Sequence, residues 1–228
     1  MKRLNLIEAI DAKTAVVKYL LSIPILVLLF AGSARADAIV VDPVGDFLPS
    51  YTGPHNGDLD VVSTNVSLIG TNLVFSAMLN ANIGTTAQAF YIWGVDRGAG
   101  ASTANFASLG LPNIVFDSVV RINPDGTGQV TLIGGSTTPL APGSITISGN
   151  SFQALVPLSF LPSQGFSVSQ YGQNLWPRWG GAVGNAQIAD FAPDNTDAGV
   201  VVPEPTSLLL LGMGVIGLGS TYRRRKAK

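Results

Sequence analysis

The sequence predicts an all-β protein, an antiparallel β-sandwich of jelly-roll-like type set between two apolar terminal segments. Three observations carry that expectation. Runs rich in β-branched and aromatic residues recur about every ten residues with turn residues between them. No amphipathic stretch of helical period is long enough to compete in the middle of the chain. Twenty-six glycines and 14 prolines punctuate 228 residues, of which only 12% are charged, excluding a highly charged disordered chain and a long coiled coil.

Taken in order, residues 1–36 read as a secretory signal peptide. Lys2, Arg3, Lys13 and Lys18 precede a charge-free run over 19–31, and Ala34-Arg35-Ala36 places small residues where a signal peptidase cuts, before Asp37. Residues 37–201 then form one acidic sandwich domain. Strand runs fall at 39–41, 61–68, 90–95, 114–122, 166–171 and 187–191. Leu73, Phe75, Ala77 and Leu79 alternate after Gly70-Thr71-Asn72, and Val130 and Leu132 alternate after a Pro-Asp-Gly turn. Ile145 and Ile147 mirror Phe152, Ala154 and Val156 across Gly149-Asn150, a two-residue hairpin signal. Residues 157–162 offer one helical turn, and 192–202, with Pro193, Asp194, Asn195 and Gly199, read as a short linker.

The tail has three parts. Val202-Pro203-Glu204-Pro205 is followed by a charge-free stretch over 206–222 and then by Arg223, Arg224, Arg225 and Lys226. Eighteen residues from Pro205 to Tyr222 would reach about 27 Å as a helix, just enough to cross a bilayer. The basic cluster stays inside and leaves the acidic domain outside.

This order closely resembles the PEP-CTERM sorting signal of Gram-negative bacteria. The resemblance implies recognition of residues 202–228 by an exosortase, a membrane protease-transferase that cuts near the motif, often in species that make exopolysaccharide. It implies export across the inner membrane, transient anchoring by the tail helix, and residence in the envelope or extracellular matrix. The prolines keep Glu204 in an extended, accessible segment. Within the helix, Gly212-Met213-Gly214-Val215-Ile216-Gly217 fits a dinucleotide fingerprint in letters only, since neither a preceding strand nor a later acid accompanies it. The middle of the chain is loosely similar to DOMON-like and family-nine carbohydrate-binding sandwiches through its Asp42-Pro43-Val44-Gly45-Asp46 opening and strand rhythm.

Charge and chemistry narrow the function. Residues 37–205 hold eleven aspartates and Glu204 against Arg97, Arg121 and Arg178, a net charge of −9 with no lysine, which excludes nucleic acid as a partner. There is no cysteine, no G-x-S-x-G elbow, and His55 alone cannot supply a two-imidazole zinc site; its Pro-His-Asn-Gly setting reads as a solvated loop. A catalytic residue is therefore not expected, although a pair of aspartates for glycan hydrolysis stays open. No cofactor is required. Structural calcium is a candidate, with ligands from Asp42, Asp46, Asp58 and Asp60, because the first pair flanks a Gly turn and the second projects to one strand face. Trp176 and Trp179 around Arg178, extended by Tyr51 and Tyr171, form a candidate sugar platform; the alternative is that Trp93 and one of the pair fill the core. The leading expectation is a non-enzymatic, exosortase-processed surface protein associated with exopolysaccharide or biofilm, the second a carbohydrate-binding module on the same anchor.

Overall fold

The computed structural model describes residues 39–203. The expected signal peptide, the apolar span, Glu204, Pro205 and the Arg223–Lys226 cluster lie outside the described residues. Among the described residues no helix is long and apolar enough to cross a membrane.

The described residues form thirteen strands, with short 3-10 turns in some of the connections: β1 Val40–Val41, β2 Val61–Ile69, β3 Asn72–Leu79, β4 Ala89–Asp96, β5 Ala104–Phe106, β6 Leu111–Phe116, β7 Ser118–Ile122, β8 Gly128–Leu132, β9 Thr137–Pro139, β10 Ile145–Ser148, β11 Ser151–Pro157, β12 Gly172–Trp179 and β13 Ala198–Gly199. They form a five-stranded sheet in the order β1-β2-β3-β11-β10, a six-stranded sheet in the order β13-β12-β4-β7-β8-β9, and a separate β5-β6 hairpin. All named pairings are antiparallel.

Alternation along the strands makes the two sheets face each other. Leu73, Phe75, Ala77 and Leu79 of β3, with Phe152, Ala154 and Val156 of β11, meet Tyr91, Trp93 and Val95 of β4, Val120 and Ile122 of β7, and Leu175 of β12 in one core. Aromatic rings bridge the layers: Phe75 meets Trp93 edge-on at 5.3 Å and Tyr91 meets Phe152 at 5.3 Å. The β10–β11 hairpin has the register expected from its turn, Ile145 opposite Ala154 and Ile147 opposite Phe152, with Gly149 at φ +59°.

The other face of the six-stranded sheet is not left to solvent. Ile92 and Trp176 point outward and are covered by Phe106, Ile114, Phe191 and Ile188, so the β5–β6 hairpin and the 188–191 segment make a second core. Gly94 permits this, because a Cβ there would collide with the Trp176 ring. The predicted single run at 114–122 is two strands, broken at Asp117. Its carboxylate takes the Arg97 Nε at 2.6 Å and the Arg97 backbone N–H at 2.9 Å, both residues being buried, while Arg97 Nη1 donates to the Pro162 carbonyl at 2.7 Å. A buried ion pair held by this many hydrogen bonds fixes the corner where the hairpin leaves the sheet.

Three further expectations are corrected, and one strand is new. Residues 166–171 contain a 3-10 turn, Val168–Gln170, closed by Ser167 and Gln170 as a capping box, rather than a strand. Residues 187–191 run beside β12 with only isolated bridges. The stretch read as a linker is folded into the sandwich: Ala192 and Val200 are buried, β13 pairs with β12, and Val201 bridges Ser67. Finally β12, unforeseen as a strand, is the hydrogen-bonded neighbour of β4 along its whole length. Pro177 is tolerated there because β13 accompanies β12 only at Gly172 and Gln173, leaving no regular ladder on that side to need its missing N–H.

Candidate functional site

The four tryptophan and tyrosine positions proposed as a sugar platform are not brought to one exposed surface. Trp176 is 2% exposed and enclosed by Phe106, Phe116 and Phe191 with ring centroids at 5.0–5.7 Å. Three residues along a strand reverse the face, so Trp179 points the other way and closes the sandwich end with Tyr51, Leu59, Ala89 and Ala189. Tyr51 donates to the Pro54 carbonyl and Tyr171 to the Leu161 carbonyl; both are buried, and Tyr171 belongs to the main core. The tryptophans serve packing, with Trp93 in the main core. His55 is exposed in its loop, stacked on Phe47 at 4.4 Å and on Tyr51 at 5.6 Å.

The aspartates are sorted differently from their spacing. Asp42 and Asp46 meet Asp190 and Asp194, one carboxylate oxygen of each lying within 4.8 Å of those of the others. Asp42 and Asp190 are buried, whereas Asp46 and Asp194 face solvent more. The Asp190 oxygens accept the Val61 N–H at 2.8 Å and the Phe191 N–H at 2.7 Å, which fixes that carboxylate at the start of β2. Burial pushes Asp42 and Asp190 well above the usual carboxylate range; the charges of Asp46 and Asp194 push Asp42 further up, and those of Asp42 and Asp46 push Asp190 further up. Asp46 is raised by burial and by the charges of Asp194 and Asp60.

Asp58 and Asp60 have other work. Asp58 accepts the Thr86 N–H at 2.8 Å and the Thr86 hydroxyl at 2.5 Å, tying the turn before β2 to the loop before β4. Asp60 accepts the Gly45 N–H with both oxygens, at 3.1 and 3.0 Å, and Asn80 Nδ2 at 3.0 Å. It thereby holds the turn that carries Asp46, with Gly45 at φ +87°. On the opposite side of the cluster, Asn174 Nδ2 of β12 donates to the Pro193 and Thr196 carbonyls at 2.6 and 2.9 Å and holds the loop that carries Asp194. Asp190 and Asp194 were missed because they join Asp42 only through the pairing of distant segments.

A cleft of about 460 Å³ lies on the outer face of the five-stranded sheet. Its lining alternates with the core residues of the same strands: Ser63 and Asn65 of β2, Ser76 and Met78 of β3, Thr146 and Ser148 of β10, and Gln153 of β11, with Ile39 at its edge. The lining carries no charged side chain. Gln153 Nε2 donates to Ser76 Oγ at 3.3 Å, and Met78 is 41% exposed. Hydroxyls and amides, each both donor and acceptor, therefore surround a small apolar patch.

Residues 201–226 match the family model described as the PEP-CTERM protein-sorting motif. Searches of the curated proteins and of the solved structures find no match.

Proposed function

We propose that the PEP-CTERM protein-sorting motif at residues 201–226 directs this chain, once exported, to an exosortase, and that its sandwich is a non-enzymatic component of the cell envelope or extracellular matrix that holds exopolysaccharide in the cleft of the five-stranded sheet. The observation that carries this reading is the uncharged hydroxyl and amide lining of that cleft. Sugar hydroxyls exchange donor and acceptor roles, as Ser, Thr, Asn and Gln do, and the CH face of a pyranose matches the Met78 and Ile39 patch. The net charge of −9 over 37–205 opposes an anionic polymer and favours a neutral one. Signal peptidase acts at the other end, and biofilm cohesion is the expected outcome of display.

Cosedimentation of the exported protein with neutral polysaccharide tests the reading. Ser76→Ala with Gln153→Ala should lower retention at least fivefold while the melting temperature stays the same, and no reducing ends should appear. Unchanged retention in the double variant would sink the cleft reading, and steady release of reducing ends would make the protein a hydrolase.

A further inference from the structure

We propose that Asp42, Asp46, Asp190 and Asp194 bind one calcium ion, which fastens the loop before β2 to the segment that runs into the sorting signal. Two independent features point to a cation. The first is the convergence of four carboxylates, with one oxygen of each within 4.8 Å of the others. Calcium holds oxygens at about 2.3–2.6 Å, so ligands on opposite sides of the ion stand about 4.8 Å apart. The second is an orphan: Asp42 is only 5% exposed, and its Oδ2 has no hydrogen-bond partner. Asp46 Oδ1 is likewise buried without one. A buried carboxylate oxygen that no donor reaches is costly unless a positive charge takes it.

No side chain among the described residues supplies that charge. The domain has no lysine. Arg97 is engaged by Asp117, Arg121 donates to Asn123, and Arg178 donates to the Gly184 carbonyl. The donors are all hard oxygens, without cysteine or imidazole, which suits calcium and disfavours zinc or copper. Asp60 and Asn174 are positioning residues: one pins the Gly45 turn and the other the 193–196 loop, so both pairs of ligands are held in place before the ion arrives. The inference is independent of the polysaccharide reading, since it concerns what holds the fold.

Calorimetric titration of calcium chloride into the full chain in mild detergent, after chelator washing, tests it alongside melting curves. One site per chain is expected, together with a melting temperature that rises with calcium and falls back in chelator. Asp194→Asn, at an exposed position, should weaken calcium at least tenfold and leave the metal-free melting temperature the same or higher. Asp42→Asn should raise the metal-free melting temperature, because it removes a repelled charge, and abolish the calcium response. Asp125→Asn, in a solvated turn, should keep the full response. Absence of binding heat with identical melting in calcium and chelator overturns the site, as does a calcium response undiminished in both Asp194→Asn and Asp42→Asn.

Discussion

At the scale of single residues, the acidic side chains explain more of this molecule than the aromatic ones do. Asp197 is an instance away from the four-carboxylate cluster. It accepts the Val115 N–H at 3.1 Å, its other oxygen has no partner, and burial pushes its carboxyl up to about 7, with repulsion from Asp96 adding to the effect. In the unfolded chain an aspartate releases its proton near pH 3.9, so between about pH 4 and 7 the folded chain holds a proton that the unfolded chain has lost. Its stability contribution is therefore full below the unfolded value and is lost as pH rises through the folded one. The slope is at most about 1.4 kcal/mol per pH unit for one proton. Asp197→Asn keeps an acceptor for Val115 and carries no charge. The variant should melt higher than the native chain at pH 8, and the gap should close as pH is lowered toward 4. A constant gap across that range would show that the carboxyl titrates normally.

At the scale of elements, the β5–β6 hairpin depends on Trp176 as the floor of its core. Trp176→Ala should cost about 3–5 kcal/mol, and hydrogen exchange should show the hairpin opening before the main sandwich. Loss of sugar retention with full stability would instead place Trp176 at a binding surface. What could be read from the chain, and what could not, divides at the same level. The alternation at Leu73, Phe75, Ala77 and Leu79 and the Gly149-Asn150 turn are local signals, and they appear in the fold as β3 and the β10–β11 hairpin. β12 was illegible because Gly172, Gln173, Asn174, Pro177 and Arg178 have poor strand propensity, and its place beside β4 is decided by pairing across the chain. The acidic cluster failed to appear for a related reason. Strand spacing grouped Asp58 with Asp60, whereas the folded chain gives each of them hydrogen-bond donors and brings Asp190 and Asp194 to Asp42 from the far end of the domain.

At the scale of the whole molecule, the sorting signal at 201–226 dictates a maturation experiment. In a host with an exosortase, intact mass of the exported protein should give a first residue near Asp37 and a last residue between Pro203 and Pro205, without Arg223 to Lys228. Glu204→Ala, or alanine at both flanking prolines, should leave a longer membrane-bound form, because the apolar stretch is kept while the recognised segment is lost. Normal maturation of these variants, or an exported native chain that keeps its arginines, would make the tail an ordinary membrane span. The grip of the sandwich on Val201 sets the mechanics of that step. Val201 donates to the Val66 carbonyl at 2.8 Å and accepts the Leu68 N–H at 2.8 Å, so the fold holds the chain up to the first residue of the signal. Four residues farther on, a fully stretched backbone reaches Pro205 at no more than about 14 Å. If an exosortase cuts at this motif, so short a tether would put the cut close to the folded domain. An anchor joined at such a cut would then hold the domain on a short lead rather than on a long stalk.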